Sequence, residues 1–385
     1  MADTTVIIIG AGPSGLATAA SLTLSSISYI IIEREDCSVP LWRKHSYDRL
    51  HLHVPNRFCH LPAMPFPSST PNYLPKVNFL DYLDRYAENF RIRPLYRRNV
   101  EAAQFDHPEG KWKVRARNLD KGEMEEFRSR FLVVATGETA EAYTPAVPGM
   151  EEFGGDLMHS TKFKSGKGFE GKNVLVVGAG NSGMEIALDL CLHAANTSLV
   201  VRSPVHFMSR RMIGLGLDML KYNLPIWFVD SLMVMLSKLI YGNLTNYGIK
   251  RPVEGPFSMK AKYGKYPIID VGTLEQIKCG QIQVLATEIA SIKGKNNVVF
   301  KNGKCYQFDS IIFCTGFKRS TNLWLKGDEY LLNDDGLPKP SYPNHWKGKN
   351  GLYCVGLSRR GLYGANLDAQ NVAKDISTQI YKFGS

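Results

Sequence analysis

The stretch Val6-Ile7-Ile8-Ile9-Gly10-Ala11-Gly12-Pro13-Ser14-Gly15 decides the fold. Four aliphatic residues in a row predict a parallel strand buried on both faces. The G-x-G-x-x-G turn follows at once, and the Ala- and Leu-rich run from Leu16 to Leu24 predicts a helix. A second apolar run, Tyr29-Ile30-Ile31-Ile32, ends at Glu33. In such a unit the first glycine permits a sharp turn, the second lets backbone approach a pyrophosphate, and the third lets helix and strand pack closely. The phosphates then lie at the helix amino terminus, where free N–H groups and the macrodipole favour negative charge. Glu33 follows Gly15 by 33 − 15 = 18 residues, near the spacing of about 20 expected for an acceptor of a ribose 2′-hydroxyl. The bland alternative is a tight turn in an α/β domain that holds no ligand.

The pattern recurs. Asn173-Val174-Leu175-Val176-Val177 leads into Gly178-Ala179-Gly180-Asn181-Ser182-Gly183, a helix from Met184 to about His193, and the strand Ser198-Leu199-Val200-Val201. This second strand ends at Arg202, 202 − 183 = 19 residues on. A carboxylate there would repel a 2′-phosphate, whereas arginine pairs with one through charge-assisted bonds. The second site therefore predicts NADP(H), with Ser203, Arg210 and Arg211 as further candidate phosphate contacts. For Arg202 the alternative is a solvated strand end. One acidic and one basic fingerprint in one chain imply two different dinucleotides, most economically FAD at the first and NADPH at the second, so that a hydride passes from nicotinamide to flavin.

Working outward, Phe131-Leu132-Val133-Val134-Ala135-Thr136-Gly137 and Ser310-Ile311-Ile312-Phe313-Cys314-Thr315-Gly316 are apolar strands ending in Thr-Gly turns. Each follows a predicted hairpin, with turns near Asp120-Lys121-Gly122 and at Asn302-Gly303, and each marks a crossing between domains. The expected organisation is α/β, with two Rossmann-like dinucleotide-binding domains, the second inserted into the first. Residues 1–150 and 320–385 would form the FAD domain and 151–319 the NADPH domain, with a linker at Pro145-Ala146-Val147-Pro148-Gly149. The run from Gly351 to Gly356 would be a late flavin-domain strand.

The 385 residues carry 47 basic and 36 acidic side chains, a net charge of +11, and are 44% hydrophobic and 22% charged. That is ordinary globular composition for two or three domains, which excludes collagen, coiled coil and wholesale disorder. Basic residues are spread without a block, so a polyanionic small ligand is favoured over nucleic acid. The seven cysteines are scattered without a C-x-x-C pair, as expected of reduced thiols in the cytoplasm, and no metal site is expected. No targeting segment is legible at the amino terminus. The apolar stretch Leu224 to Leu244 is interrupted by Pro225, Asp230 and Lys238, and a charge near its middle would cost roughly 3 kcal/mol on insertion. It predicts a core or interfacial helix, with peripheral membrane contact as the lesser alternative.

At this point the residues resemble a known family. Phe153-x-Gly155-x-x-x-His159-Ser160-x-x-Phe163-Lys164, lying between the two glycine fingerprints, resembles the identifying motif of class B flavin-containing monooxygenases. Cys314-Thr315-Gly316-Phe317 is similar to the family's later A-T-G-F/Y motif. Three further blocks resemble the plant YUCCA group: Tyr47 to His53, Gly264 to Gly272, and Arg359 to Ala365. The resemblance implies an NADPH- and O2-dependent monooxygenase that captures dioxygen as a flavin C4a-(hydro)peroxide. It implies oxidative decarboxylation of indole-3-pyruvate to indole-3-acetate, the step that makes auxin. Arg43, Lys260, Arg359 and Arg360 are the candidate cations for the keto-acid carboxylate.

The candidate flavin contacts are Gly10, Ala11, Gly12, Pro13, Ser14, Gly15, Glu33, Arg34, Leu41, Trp42, Thr136 and Gly137. Those for NADPH are Gly178, Ala179, Gly180, Asn181, Ser182, Gly183, Arg202, Ser203 and Arg210. Related amine- and sulfide-oxygenating enzymes carry an asparagine near the flavin where His53 stands here, which makes His53 the candidate contact for activated oxygen. His159 is expected to orient the interdomain turn. A generic N- or S-oxygenating monooxygenase shares every cofactor motif and stays open. A flavin disulfide reductase would need a close cysteine pair, but Cys37 and Cys59 are 22 apart. A non-enzymatic nucleotide-binding protein leaves the acid and arginine pairing unexplained.

Overall fold

The computed structural model describes residues 2–384. The chain divides into two compact units, one of residues 1–43, 56–141 and 317–385 and the other of residues 44–55 and 142–316. The connectivity is that of one α/β unit inserted into another.

In the first unit, β1 (Ala2–Ile9) runs parallel to β2 (Tyr29–Ile32), pairing Val6 with Tyr29 and Ile9 with Ile32. On its other side it runs parallel to the strand Met124–Val134, pairing Ile9 with Val134. Leu352–Cys354 adds to that strand in parallel, as the run before Gly356 predicted. Val6, Ile7 and Ile8 have no exposed surface, because helices cover such a sheet on both faces. One of these is α1 (Pro13–Leu24), which packs against the last helix, Gly361–Gly384. The antiparallel part of the sheet is Arg98–Asp106, Lys111–Asn118 and Met124–Val134, the last two joined through Gly122 at φ +74°.

In the second unit, β3 (Asn173–Val177), α2 (Asn181–Leu192) and β4 (Asn196–Val200) repeat the plan. All five strands of its main sheet are parallel, in the order Ile282–Leu285, β4, β3, Ser310–Phe313, Asp156–His159. A small antiparallel sheet, Ile289–Lys293 with Asn297–Phe300 and Cys305–Gln307, turns through Gly303 at φ +82°. Between β4 and the strand Ile282–Leu285 the chain forms the helices α3 (Arg210–Lys221), α4 (Ile226–Tyr241) and α5 (Pro256–Tyr263).

Three sequence expectations give way here. The Pro145–Gly149 stretch is not a linker: Ile292 N–H donates to the Pro148 carbonyl (2.8 Å), and a Cβ on Gly149 would lie 2.1 Å from the Ile292 carbonyl oxygen. The chain instead crosses between units after Glu141 and again after Gly316, ahead of positions 150 and 319. Residues 44–55, expected in the first unit, belong to the second, because Asp48 N–H bonds the Lys164 carbonyl (2.9 Å) and Lys164 Nζ bonds the carbonyls of Lys44 and Ser46. Among the described residues, no helix is long and apolar enough to cross a membrane.

Candidate active site

Each glycine turn can be tested by asking what a methyl group would meet. At Gly10 (φ +106°) an added Cβ would lie 2.7 Å from the Ala135 carbonyl oxygen, and at Gly15 only 1.9 Å from that of Gly10. At Gly12 it would meet nothing within 4 Å. The second turn repeats this with the Cys314 carbonyl 2.5 Å from Gly178 (φ +112°), the Gly178 carbonyl 1.9 Å from Gly183, and nothing near Gly180. The outer glycines are thus demanded by the protein's own backbone. The middle one is demanded by nothing in the protein, and it faces open space at a helix amino terminus, where an incoming pyrophosphate fits.

The two turns differ in what stands behind them. Glu33 is 7% exposed, and its carboxylate accepts hydrogen bonds from Ala11 N–H (2.7 Å) and Glu35 N–H (2.9 Å). Burial pushes its pKa up while those two bonds hold it down. The same turn fixes the segment that follows, since Val39 N–H bonds the Ala11 carbonyl (2.9 Å) with Val39 at φ +49°, a conformation β-branched residues rarely adopt. Ser14 lies against Gly356, whose N–H donates to the buried Asp368 (3.1 Å). Asp368 also bonds the buried His345 (2.9 Å). A cavity of about 360 Å³ is lined by Ile9, Ile32, Arg34, Thr136 and Glu141 among others, and Arg34 pairs with Glu141. Thr136 bonds Thr321 (3.0 Å), and Gly137 turns at φ +74°. Leu41 and Trp42 sit on a short helix with Trp42 edge-on to Phe79, ring centres 4.8 Å apart.

Behind the second turn no carboxylate occupies the position of Glu33; Arg202 is exposed and lines a cavity of about 740 Å³. Gly178, Ala179, Gly180, Ser203, Lys265 and Tyr266 share that cavity, as do Glu288 and Lys301. Lys301 bonds Glu288 (2.7 Å) and, with Arg202, holds its carboxyl below the usual range. Nothing in the sequence marked Lys301, which stands 99 positions from Arg202 and is brought back by the antiparallel hairpin. Arg210 and Arg211 start α3 and do not line the cavity. The Asn181 side chain is committed to structure, accepting from Ile269 N–H (2.7 Å) and donating to the Pro267 carbonyl (3.1 Å).

His53 is not presented as an isolated base. Its Nε2 bonds Glu185 on α2, a carboxylate 2% exposed, within the second unit. Tyr47 approaches Ser182 and the same carboxylate, and burial, then Glu185, pushes its pKa well up. One turn on, Asp189 pairs with Arg49 (3.8 Å) and accepts Gly166 N–H (2.7 Å). The 44–55 strap therefore interlocks with two carboxylates at i and i+4 of the second nucleotide helix. A single sequence gives no sign of this, because the partners are 132 positions apart.

The motif around His159 is structural in this geometry. Phe153 is buried, a Cβ on Gly155 would lie 2.2 Å from the Asp309 carbonyl oxygen, and the His159 ring bonds the Gly316 carbonyl (3.1 Å) where the chain leaves the unit. Of the candidate carboxylate cations, Arg43 is paired with Asp84 (2.5 Å), Lys260 lies over Tyr266, and Arg360 over Tyr342 and Tyr363. Arg359 donates its backbone N–H to Glu138 (2.8 Å).

The model of the flavin-binding monooxygenase-like family matches residues 3–382. The chain belongs to that family. Within it, the chain is 48% identical over 374 residues to the probable indole-3-pyruvate monooxygenase YUCCA10 of Arabidopsis thaliana, covering 97% of both chains. It is 45% identical over 380 residues to the indole-3-pyruvate monooxygenase YUCCA1 of Oryza sativa subsp. japonica, covering 97% of this chain and 91% of that one. It is thus a YUCCA-type flavin monooxygenase, an oxidoreductase working with FAD and NADPH. The solved structure of OTEMO in complex with FAD and NADP has the same fold, with a TM-score of 0.76 at 18% identity over 98% of this chain and 85% of that one.

Proposed function

We propose that this YUCCA-type enzyme oxidatively decarboxylates indole-3-pyruvate to indole-3-acetate, the auxin-forming step. Indole-3-pyruvate, NADPH, a proton and O2 would yield indole-3-acetate, CO2, NADP⁺ and water. The observation that carries the cofactor placement is the contrast between the buried acceptor Glu33 behind one open glycine turn and Arg202 behind the other. The chemistry supplied by the bound cofactors is two-electron reduction of the flavin and activation of dioxygen.

The chain's own residues bind and orient. In the first unit, Gly12 leaves room for the FAD pyrophosphate at the start of α1, while the Glu33 carboxylate has lone pairs left for a ribose hydroxyl. Arg34, Thr136 and Gly137 would border the adenosine. In the second, Gly180 leaves room for the NADPH pyrophosphate at the start of α2. Arg202, Ser203 and Lys301 would take the 2′-phosphate, with Glu288 holding Lys301 in place. The His53–Glu185 pair would brace α2 beneath it. We assign the enzyme to the cytoplasm on its seven cysteines, scattered without a C-x-x-C pair, which suits a reducing compartment.

The test is reduction of the purified yellow protein by NADPH without air, followed by admission of air with and without indole-3-pyruvate. Indole-3-acetate and CO2 formed in step with NADPH consumption are expected. Oxygenation of an amine or thioether panel with indole-3-pyruvate left intact would assign the substrate class to N- or S-oxygenation instead.

A further inference from the structure

We propose that the helical hairpin of residues 210–241 rests on an anionic lipid surface, laying its outward apolar face into the headgroup layer. The face is defined by α4. Val229, Met233, Ser237 and Tyr241 are buried on one side. Trp227, Phe228, Met235 and Leu239 face solvent on the other, with Trp227 67% and Leu239 74% exposed. At 3.6 residues per turn these four fall within an arc of about 120°. Only Ser231 and Lys238 interrupt it among the exposed residues in that arc. The approach to α4 continues the face, since residues 221–228 are all exposed and include Tyr222, Leu224 and Ile226. An apolar stripe turned to water along a helix calls for a partner.

Three observations favour lipid as that partner. A 16-residue helix is about 24 Å long, too short for a hydrocarbon core of about 30 Å, so it can lie on a bilayer without crossing it. The exposed charges of the hairpin, Arg211, Lys221 and Lys238, are all positive. Asp230, on the same helix, is turned inward and consumed: it accepts from Phe257 N–H (2.7 Å) and from Ser258 N–H and Oγ–H (3.1 and 2.6 Å), capping α5. Counting Arg210, Arg211, Lys221 and Lys238 against Asp218 and Asp230, the hairpin carries 4 − 2 = +2. A second copy of this hairpin would bring positive charge against positive charge, which disfavours self-association. An anionic surface accepts both the stripe and the charge.

The test is co-sedimentation of the full, flavin-loaded chain with vesicles of phosphatidylcholine alone or mixed with phosphatidylserine. Binding is expected only to the mixed vesicles and is expected to fall as salt is raised. Trp227→Ala with Leu239→Ser should weaken it about tenfold or more, since an interfacial tryptophan and leucine are lost. Lys221→Gln and Lys238→Gln should each weaken it about fivefold, at about 1 kcal/mol per basic residue near the surface. NADPH oxidation without vesicles should be unchanged in all four substitutions. Absence of binding, equal binding to neutral vesicles, or a dimer in sedimentation velocity that Trp227→Ala disperses would each overturn the proposal.

Discussion

The two glycine turns leave the same lack of room: a Cβ added to the first glycine would lie 2.7 Å from the Ala135 carbonyl oxygen in one and 2.5 Å from that of Cys314 in the other, and a Cβ on the third glycine would lie 1.9 Å from the first glycine's carbonyl oxygen in both. They diverge where the next strand ends. Behind the first turn a buried carboxylate is tied into the loop by two backbone N–H groups; behind the second an exposed arginine faces a cavity it shares with a lysine. Backbone packing fixes the outer glycines regardless of ligand, so only the middle glycine and the residue at the strand end bear on what each turn would hold.

The largest effect should come from Gly15→Ala and Gly183→Ala, where a methyl group collides with backbone. Each should destabilise its unit by about 3 kcal/mol, read as a fall in melting temperature. Gly12→Val sharpens the contrast. Nothing in the protein lies within 4 Å of a Cβ there, so the flavin-free fold should keep its melting temperature while the flavin absorbance band of the purified protein disappears. Stoichiometric FAD in Gly12→Val would move the pyrophosphate elsewhere.

Next in size is Arg202→Glu, which should lower the preference for NADPH over NADH about a hundredfold, since a charge-assisted bond worth roughly 1.5–3 kcal/mol gives way to repulsion. Lys301→Ala should lower it about tenfold. Equal losses for both coenzymes in steady-state kinetics would break the distinction between the turns. Glu33→Gln should loosen FAD by about tenfold in a fluorescence titration, because an amide oxygen still accepts from Ala11 but is a weaker acceptor for the ribose.

The smallest effect is on pH. Burial lowers the pKa values of His159 and His206, against bonds to the Gly316 and Glu254 carbonyls. The unfolded chain titrates near 6.5, so below that pH it takes up more protons than the folded one and stability falls as pH drops. A melting temperature lower by a few degrees at pH 5 than at pH 7 is expected, with a shallower decline in His159→Asn.

Much of the fold was legible because local chemistry dictated it. The apolar runs, glycine turns and hairpin glycines each constrain a few neighbouring residues, and the repeat of one plan at residues 6–33 and 173–202 declared two nucleotide units. The boundaries were less legible. Proline and glycine at 145–149 look like a linker in isolation, yet pair with Ile292, far along the chain. The candidate site residues divide likewise. Glu33 and Arg202 were reached by counting from a glycine, whereas Lys301, Asp368 and the Glu185 partner of His53 carry no local mark.

The sequence by itself determined the class of ligand and the sign of charge awaiting each one, since both depend on residue types at short fixed spacings along a strand, turn and helix. Only the tertiary structure decided that His53 serves a buried glutamate, that a lysine from a distant hairpin stands beside Arg202, and that α4 turns tryptophan and leucine outward. Those outcomes depend on which surfaces meet across long separations, and pairing at a distance is settled by packing of the whole chain rather than by any stretch of it.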